Sequence, residues 1–289
     1  MSELQLAEAL TQPEPSETLT EAETTYRLHR RFDRMGRLIG DAKMKKLMNS
    51  HVMLIGLGGV GSWAAESILR SGVGEVTLVD FDEICITNFN RQLHALQGLV
   101  GQKKAEVLGD RMRKINPQAK VHVMSVFYNK NHCDEIFVRR PDYVIDAIDN
   151  VTAKCHLLNY CKTNGIPMVT STGSGGRMDP TQVKVSDLAR TEVDPLARAV
   201  RRILREQYAF PAEGKGDFGI TAIYSPEAAL PPQELTYDNG EGFKCVCPQG
   251  DNPYFQCDNR NLIMGNSSFV TGAFGLACAS VAVRGLIGQ

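Results

Sequence analysis

An α/β fold with a mainly parallel sheet, helices on both faces and a C-terminal α+β extension is what this sequence predicts, and three observations predict it. Short apolar runs alternate with helix-periodic segments between residues 51 and 170. The first apolar run ends in a glycine turn, Gly56-Leu57-Gly58-Gly59-Val60-Gly61, that leads into a helix. Acids stand at later strand ends, Asp80 and Asp149, on the edge where such sheets bind ligands. Together these features make the expected core Rossmann-like.

The elements follow in order. Residues 51–55 read as a buried strand, a short apolar run closed by glycine, and residues 62–70 as the helix that starts on the turn. Residues 75–80 form the next strand. Residues 103–115 read as a helix that Asn116-Pro117 closes, because proline disfavours helical backbone in the residue before it. Residues 120–126 alternate as a third strand. Residues 143–148 make a fourth, ending in Asp149-Asn150, and a helix over 152–164 leads through Gly165 to a fifth strand at 167–170.

Beyond Thr170 the pattern loosens. Gly173, Gly175 and Gly176 predict an open loop, residues 187–208 read as basic and helical, and residues 209–266 as loops and short strands rich in Pro, Gly and Asn. Residues 269–283 carry no charge. At about 15 residues they fall short of the roughly 20 that a membrane span needs, so a buried helix is expected.

Composition bounds the function. A chain of 289 residues with 43% hydrophobic content can bury a proper core. Its net charge of −1 hides an asymmetry: residues 1–25 carry six acids and no Lys or Arg, which predicts a disordered acidic tail. The remainder holds 32 basic against 27 acidic side chains, compatible with nucleic acid without requiring it. Eight scattered cysteines and an acidic, Thr-rich N-terminus unlike an export or transit sequence point to reduced thiols in the cytoplasm.

The chemistry is read from the strand ends. Gly56, Gly58, Gly59 and Gly61 let backbone approach a phosphate at a helix N-terminus, and Asp80, 24 positions after Gly56, suits a ribose hydroxyl. Such turns serve NAD, FAD and ATP alike. Arg91, in the polar loop Asn88-Phe89-Asn90-Arg91-Gln92, and Lys104 before the next helix suit a triphosphate under attack, where negative charge grows in the transition state. Asp82 either reaches the same pocket or a metal, or merely caps the strand. Asp149 can turn outward to Mg²⁺, which takes one or two carboxylates plus phosphate oxygens and waters, while Asp146 behind it has a structural role.

Other candidates carry less. Cys245, Cys247 and Cys257 are one ligand short and wrongly spaced for tetrahedral zinc, so no structural zinc is expected. Cys155 and Cys161 fall on a helix and read as core. Arg198, Arg201, Arg202 and Arg205 recur at helical spacing, which makes them either a solvated face or a contact for nucleic-acid phosphates.

At the level of whole motifs, GLGGVGSWAAE (56–66), VDFDEICITNFNRQ (79–92), VGQKKAE (100–106) and IDAIDN (145–150) resemble the adenylating enzymes of the ubiquitin-activating superfamily. The tract at 166–198, with NRQLHAL (90–96), is similar to the tRNA threonylcarbamoyladenosine dehydratases within it. Residues 31–208 carry the resemblance, which extends more weakly to AIYSPEA (222–228) and the C-terminal apolar helix. It implies a single adenylation domain over 26–289, with a nucleotide-binding core at about 48–170 and a substrate or dimer region at about 171–289.

The same resemblance implies ATP and Mg²⁺ as cofactors and tRNA, at a modified adenosine next to the anticodon, as substrate. It assigns Asp80 to the ribose, Asn88, Arg91 and Lys104 to the nucleotide and its phosphates, and Asp149 to the metal side. Arg34, with Arg37 as the alternative, would reach the partner's nucleotide site in a homodimer, and sulfur-transfer proteins are further partners it admits. The implied reaction is an ATP-dependent dehydration through an acyl-adenylate. Two other readings stay open here: adenylation of the C-terminal glycine of a ubiquitin-like sulfur carrier and, more remotely, an NAD-binding oxidoreductase.

Overall fold

The computed structural model describes residues 29–233, 235 and 264–289. The acidic tail and Cys245, Cys247 and Cys257 lie outside the described residues. Two short helices, α1 (Asp33–Ile39) and α2 (Asp41–Met48), meet at Gly40 and lead into β1 (His51–Ile55). The Rossmann-like half follows as α3 (Gly61–Arg70), β2 (Glu75–Val79), α4 (Lys104–Ile115), β3 (Lys120–Met124), α5 (Cys133–Ile136), β4 (Tyr143–Asp146), α6 (Val151–Thr163) and β5 (Met168–Ser171). Then come β6 (Lys184–Asp187), α7 (Pro195–Gln207), β7 (Thr221–Tyr224) and α8 (Ser268–Ile287).

The seven strands form one sheet in the order β3-β2-β1-β4-β5-β7-β6, parallel except where β6 runs against β7. The central strand β1 pairs on both sides, Val52 with Val76 of β2 and with Tyr143 of β4. Its side chains alternate between two cores. Val52 and Leu54 join the cluster under α3, α4 and α8, whereas Met53 and Ile55 join the cluster under α6 and α7. Burial on both faces is why the strand reads as a continuous apolar run instead of an alternating one.

Two expectations change. The segment 187–208 is not one helix: its first residue ends β6, where the Asp187 carboxylate accepts backbone N–H groups from Ala189, Phe218, Gly219 and Ile220. The helix starts only at Pro195, set by the Asp194 carboxylate, which accepts the Ala197 N–H at 2.6 Å. Within 209–266, Thr221–Tyr224 is a short strand of the kind expected there, and it carries the sheet past Thr170.

The second change concerns the C-terminal helix. It spans 20 residues, so length does not exclude a membrane span as the apolar run suggested. Burial accounts for its composition instead. α8 packs on α3, β4 and β5, and a Cβ on Gly275 would lie 2.4 Å from the Val60 carbonyl oxygen, so the small residue is what allows the close approach.

Candidate active site

The glycine turn joins β1 to α3 at the carboxyl edge of the sheet. Gly56 adopts φ +87°, and a Cβ there would meet the Ala147 carbonyl oxygen at 2.7 Å. A Cβ on Gly61 would stand 1.8 Å from the Gly56 oxygen. These two glycines make the turn itself, and a Cβ on Gly59 would press on Thr271 at 3.2 Å. Gly58 is different: its nearest neighbour would be Gln92 Nε2 at 3.8 Å, so protein packing does not require a glycine there. Its small size keeps open the space above the N-terminus of α3, where Val60 supplies no side-chain cap and the helix N–H groups favour an anion.

Around this space stand the acids and the lysine. Asp80 is buried at the end of β2, its Oδ2 accepting the Leu57 N–H at 2.6 Å and its Oδ1 the Asp82 N–H at 2.8 Å. Asp80 thus ties the glycine turn to the next loop. Asp82 accepts twice from Lys104, its carbonyl from the N–H at 3.0 Å and its Oδ2 from Nζ at 2.7 Å. Burial works to lower the Lys104 pKa, yet the carboxylates of Asp80, Asp82 and Asp149 hold it above its ordinary value. Lys104 is therefore a charged ammonium in an acid-rich corner.

The loop between Asp82 and Lys104 closes on itself. Ile84 donates to Gln102 and accepts from Gly101, each at 2.9 Å, and Lys103 pairs with Glu83 at 3.1 Å. Inside the clasp, Asn88 is buried and its Oδ1 accepts the Cys85 N–H at 3.0 Å, which shapes the turn that presents Arg91. Arg91 Nη1 donates to the Thr87 carbonyl and to Asn90 Oδ1, and Trp63 Nε1 donates to the Arg91 carbonyl at 3.1 Å. The Arg91 stem lies against Gly59. His94 is 2% exposed beneath this loop, and burial, then Lys104, push its pKa down to about 3.

Asp149 is exposed on the loop after β4, whose Ala147 touches Gly56. Glycine turn, Asp80, Asp82, Lys104, Arg91 and Asp149 thus lie close together at the carboxyl edge of the sheet. Among the described residues no cluster of three or more His, Cys, Asp or Glu could hold a metal by itself. An exposed Asp149 fits an ion that arrives with phosphate oxygens as further ligands. On α1, Arg37 is held by Asp33 at 2.9 Å, and both Arg34 and Arg37 are exposed.

The basic face of α7 is divided. Arg198 and Arg202 are exposed. Arg201 donates to Thr191, and Arg205 donates to the Pro211 carbonyl and lies 5.4 Å from the Phe218 ring centroid. Two of the four therefore hold the protein together. The Cys155 and Cys278 thiols are pushed by burial to about 11 and about 12, and Cys161 is fully buried, as core residues should be.

Two buried ion pairs escape the motif reading. Lys154 pairs with Asp146 at 2.6 Å, and Arg177 with Asp194 at 3.0 Å. A signal for the first existed: Lys154, Leu157, Leu158 and Cys161 follow the i, i+3, i+4, i+7 spacing of a buried stripe, so a lysine there needs a partner. Arg177 follows the glycine loop and braces it, donating to the Gly175 carbonyl at 3.1 Å and to that of Gly173.

Comparison with known proteins agrees with this geometry. The ThiF family model matches residues 32–289. The tRNA threonylcarbamoyladenosine dehydratase of Escherichia coli K12 is 38% identical over 90% of this chain and 94% of its own length. That of Bacillus subtilis 168 is 43% identical over 81% and 91%. A crystal structure of the Escherichia coli protein in complex with ATP superposes with a TM-score of 0.76 at 37% identity, covering 89% of this chain and 94% of that one.

Proposed function

The chain belongs to the ThiF family and, within it, to the tRNA threonylcarbamoyladenosine dehydratases, and from that membership we propose that it dehydrates N6-threonylcarbamoyladenosine in tRNA in an ATP-dependent cyclisation. The observation that carries the reading onto this chain's own residues is the charged Lys104, buried beside a glycine turn whose Gly58 leaves room for phosphates. A carboxylate is a poor acyl donor because oxide would have to leave. Adenylation removes the difficulty. The threonyl carboxylate attacks the α-phosphate of ATP and pyrophosphate departs. A nitrogen or oxygen of the same side chain then attacks the activated carbonyl, closing the ring and releasing AMP, which keeps the oxygen of the lost water.

The second step is intramolecular, so it draws on a high effective molarity and needs no protein nucleophile. The raised thiol pKa values of Cys155 and Cys278 agree with that. Asp80 holds the ribose, and Asn88 shapes the loop from which Arg91 reaches the phosphates. Lys104 and Arg91 offset the charge that grows there. Three carboxylates around one lysine would repel a triphosphate, so further positive charge is needed. Mg²⁺ carried by the nucleotide and held by Asp149 would supply it, neutralising phosphate oxygens.

Arg34 serves the partner's site in a homodimer, a reading supported by its exposure and by the Asp33 pairing of Arg37. Arg198 and Arg202 offer exposed cations to tRNA phosphates. The reaction belongs to the cytoplasm, where its tRNA substrate and reduced thiols would coexist, and sulfur-transfer proteins remain candidate partners. The test is incubation with ATP, Mg²⁺ and tRNA bearing the modified adenosine, followed by mass analysis of the nucleosides. Loss of one water is expected; an unchanged mass, or pyrophosphate exchange that answers to a sulfur-carrier protein and not to tRNA, overturns the proposal.

A further inference from the structure

The corner at the end of β4 holds a buried ion pair that the chemistry above does not use. Lys154 Nζ donates to Asp146 Oδ2 at 2.6 Å and to Thr170 Oγ1 and the Ser171 carbonyl, each at 3.0 Å. Thr170 Oγ1 in turn donates to Asp146 Oδ2 at 2.6 Å. Lys154 is 2% exposed and Asp146 not at all. The other carboxylate oxygen, Asp146 Oδ1, accepts the Ile148 N–H at 3.0 Å, closing a turn just before Asp149. Just after it, Asn150 caps α6: its Oδ1 accepts the Ala153 N–H and its carbonyl the Lys154 N–H, both at 2.9 Å.

Asp149 is thus the single residue between two closed turns, and both run through the same knot. Asp146 makes the first, and the first turn of α6, which carries Lys154, makes the second. A buried ion pair is weak support for stability as such, since apolar residues of similar volume often do as well. Where a pair sits and what it holds in place is the more informative property. We propose that Asp146, Lys154 and Thr170 are positioning residues that fix the Asp149 carboxylate toward the nucleotide-borne Mg²⁺. This inference rests on the adenylation reading. Its physical content is preorganisation: a carboxylate held between fixed turns gives up little freedom when the ion binds.

The test measures equilibrium binding, by calorimetry, of ATP with Mg²⁺ and of ATP with a chelator, to the full chain. Wild type should bind ATP more tightly with Mg²⁺. Asp149→Ala should lose about tenfold of that tightening, and Lys154→Met about the same, the scale on which residues behind a metal ligand act. Binding without Mg²⁺ should stay within about twofold of wild type in Lys154→Met and be no weaker than wild type in Asp149→Ala, which removes a repelling carboxylate, while the variant carrying both changes should lose no more of the Mg²⁺-dependent tightening than either single one, because the knot acts through Asp149. Lys154→Arg should recover part of the loss. If Lys154→Met does not fold, Thr170→Val keeps the ion pair and removes one donor, and should cost about threefold, again only with Mg²⁺. Equal weakening with and without Mg²⁺, or additive losses in the double variant, overturns the positioning role alone. Wild type that does not bind ATP overturns the adenylation reading, and the inference with it.

Discussion

Lys104 and Lys154 make an instructive pair. Each lies buried in the first turn of a helix that follows the sheet's carboxyl edge, and each faces an aspartate. At Lys154 the donors and acceptors match: three oxygens surround the ammonium, and the Asp146 oxygens are themselves taken by Lys154, Thr170 and Ile148. At Lys104 they do not. One oxygen of Asp82 accepts its hydrogen bond, while the charges of Asp80 and Asp149 remain around it and a Cβ on Gly58 would meet only Gln92, at 3.8 Å. The matched corner is a joint in the scaffold. The mismatched one is where, on the proposed function, a ligand that brings phosphates and a counter-ion would bind.

The contrast can be broken experimentally, starting where the effect should be largest. Lys154→Met leaves Asp146 as an uncompensated buried carboxylate and should destabilise the fold by about 3–5 kcal/mol in denaturant unfolding. A loss below about 1 kcal/mol would mean that the second corner is not a joint. Arg91→Ala should reduce AMP formation about 10²–10³-fold, with a circular dichroism spectrum and melting temperature close to wild type. Retained turnover would remove Arg91 from the phosphate site.

Gly58→Ala sharpens the comparison further, because its Cβ meets nothing closer than 3.8 Å. Stability should change by less than about 1 kcal/mol, while nucleotide binding weakens about tenfold, or about 1.4 kcal/mol. Unchanged affinity would show that the space above the turn is not the phosphate site. The equivalent change at Gly61 should give no folded protein, since its Cβ would overlap the Gly56 oxygen.

His94 adds a pH dependence to the same corner. Its folded pKa, near 3, lies below the ordinary 6.5, so the unfolded chain binds the extra proton first as pH falls. Its contribution to stability is therefore complete above pH 6.5 and is lost progressively as pH drops toward 3. Unfolding of wild type and His94→Leu, compared from pH 7 to pH 4, should show the wild type losing more stability by a few kcal/mol at the acid end. Parallel curves would mean that His94 does not titrate differently in the two states.

Much of the first corner was legible from sequence because its signals are local. A glycine turn after an apolar run, an acid 24 residues on and an arginine in a polar loop all follow from spacing along one chain segment. The second corner was not. Asp146 reads as structural, but its partner needs β4, β5 and α6 brought together, and no local motif marks Lys154, whose one signal is its place on the buried stripe. The helix at 187–208 was misplaced for a similar reason: its basic residues have helical spacing, while the strand before it exists only because β7 pairs with it. The apolar C-terminal run was judged by a length that the folded helix exceeds, and burial against α3 and the sheet decided the matter.

The sequence by itself determined the α/β class, the strands buried on both faces, the nucleotide turn and the identity of the residues around it. These depend on periodicity and on steric requirements such as those of Gly56 and Gly61, which act within a few residues. The tertiary structure alone decided which charges are matched and which are left for a ligand. A lysine carries the same charge anywhere in the chain, and whether it is a joint or a binding group depends on how many oxygens the fold brings within hydrogen-bonding distance.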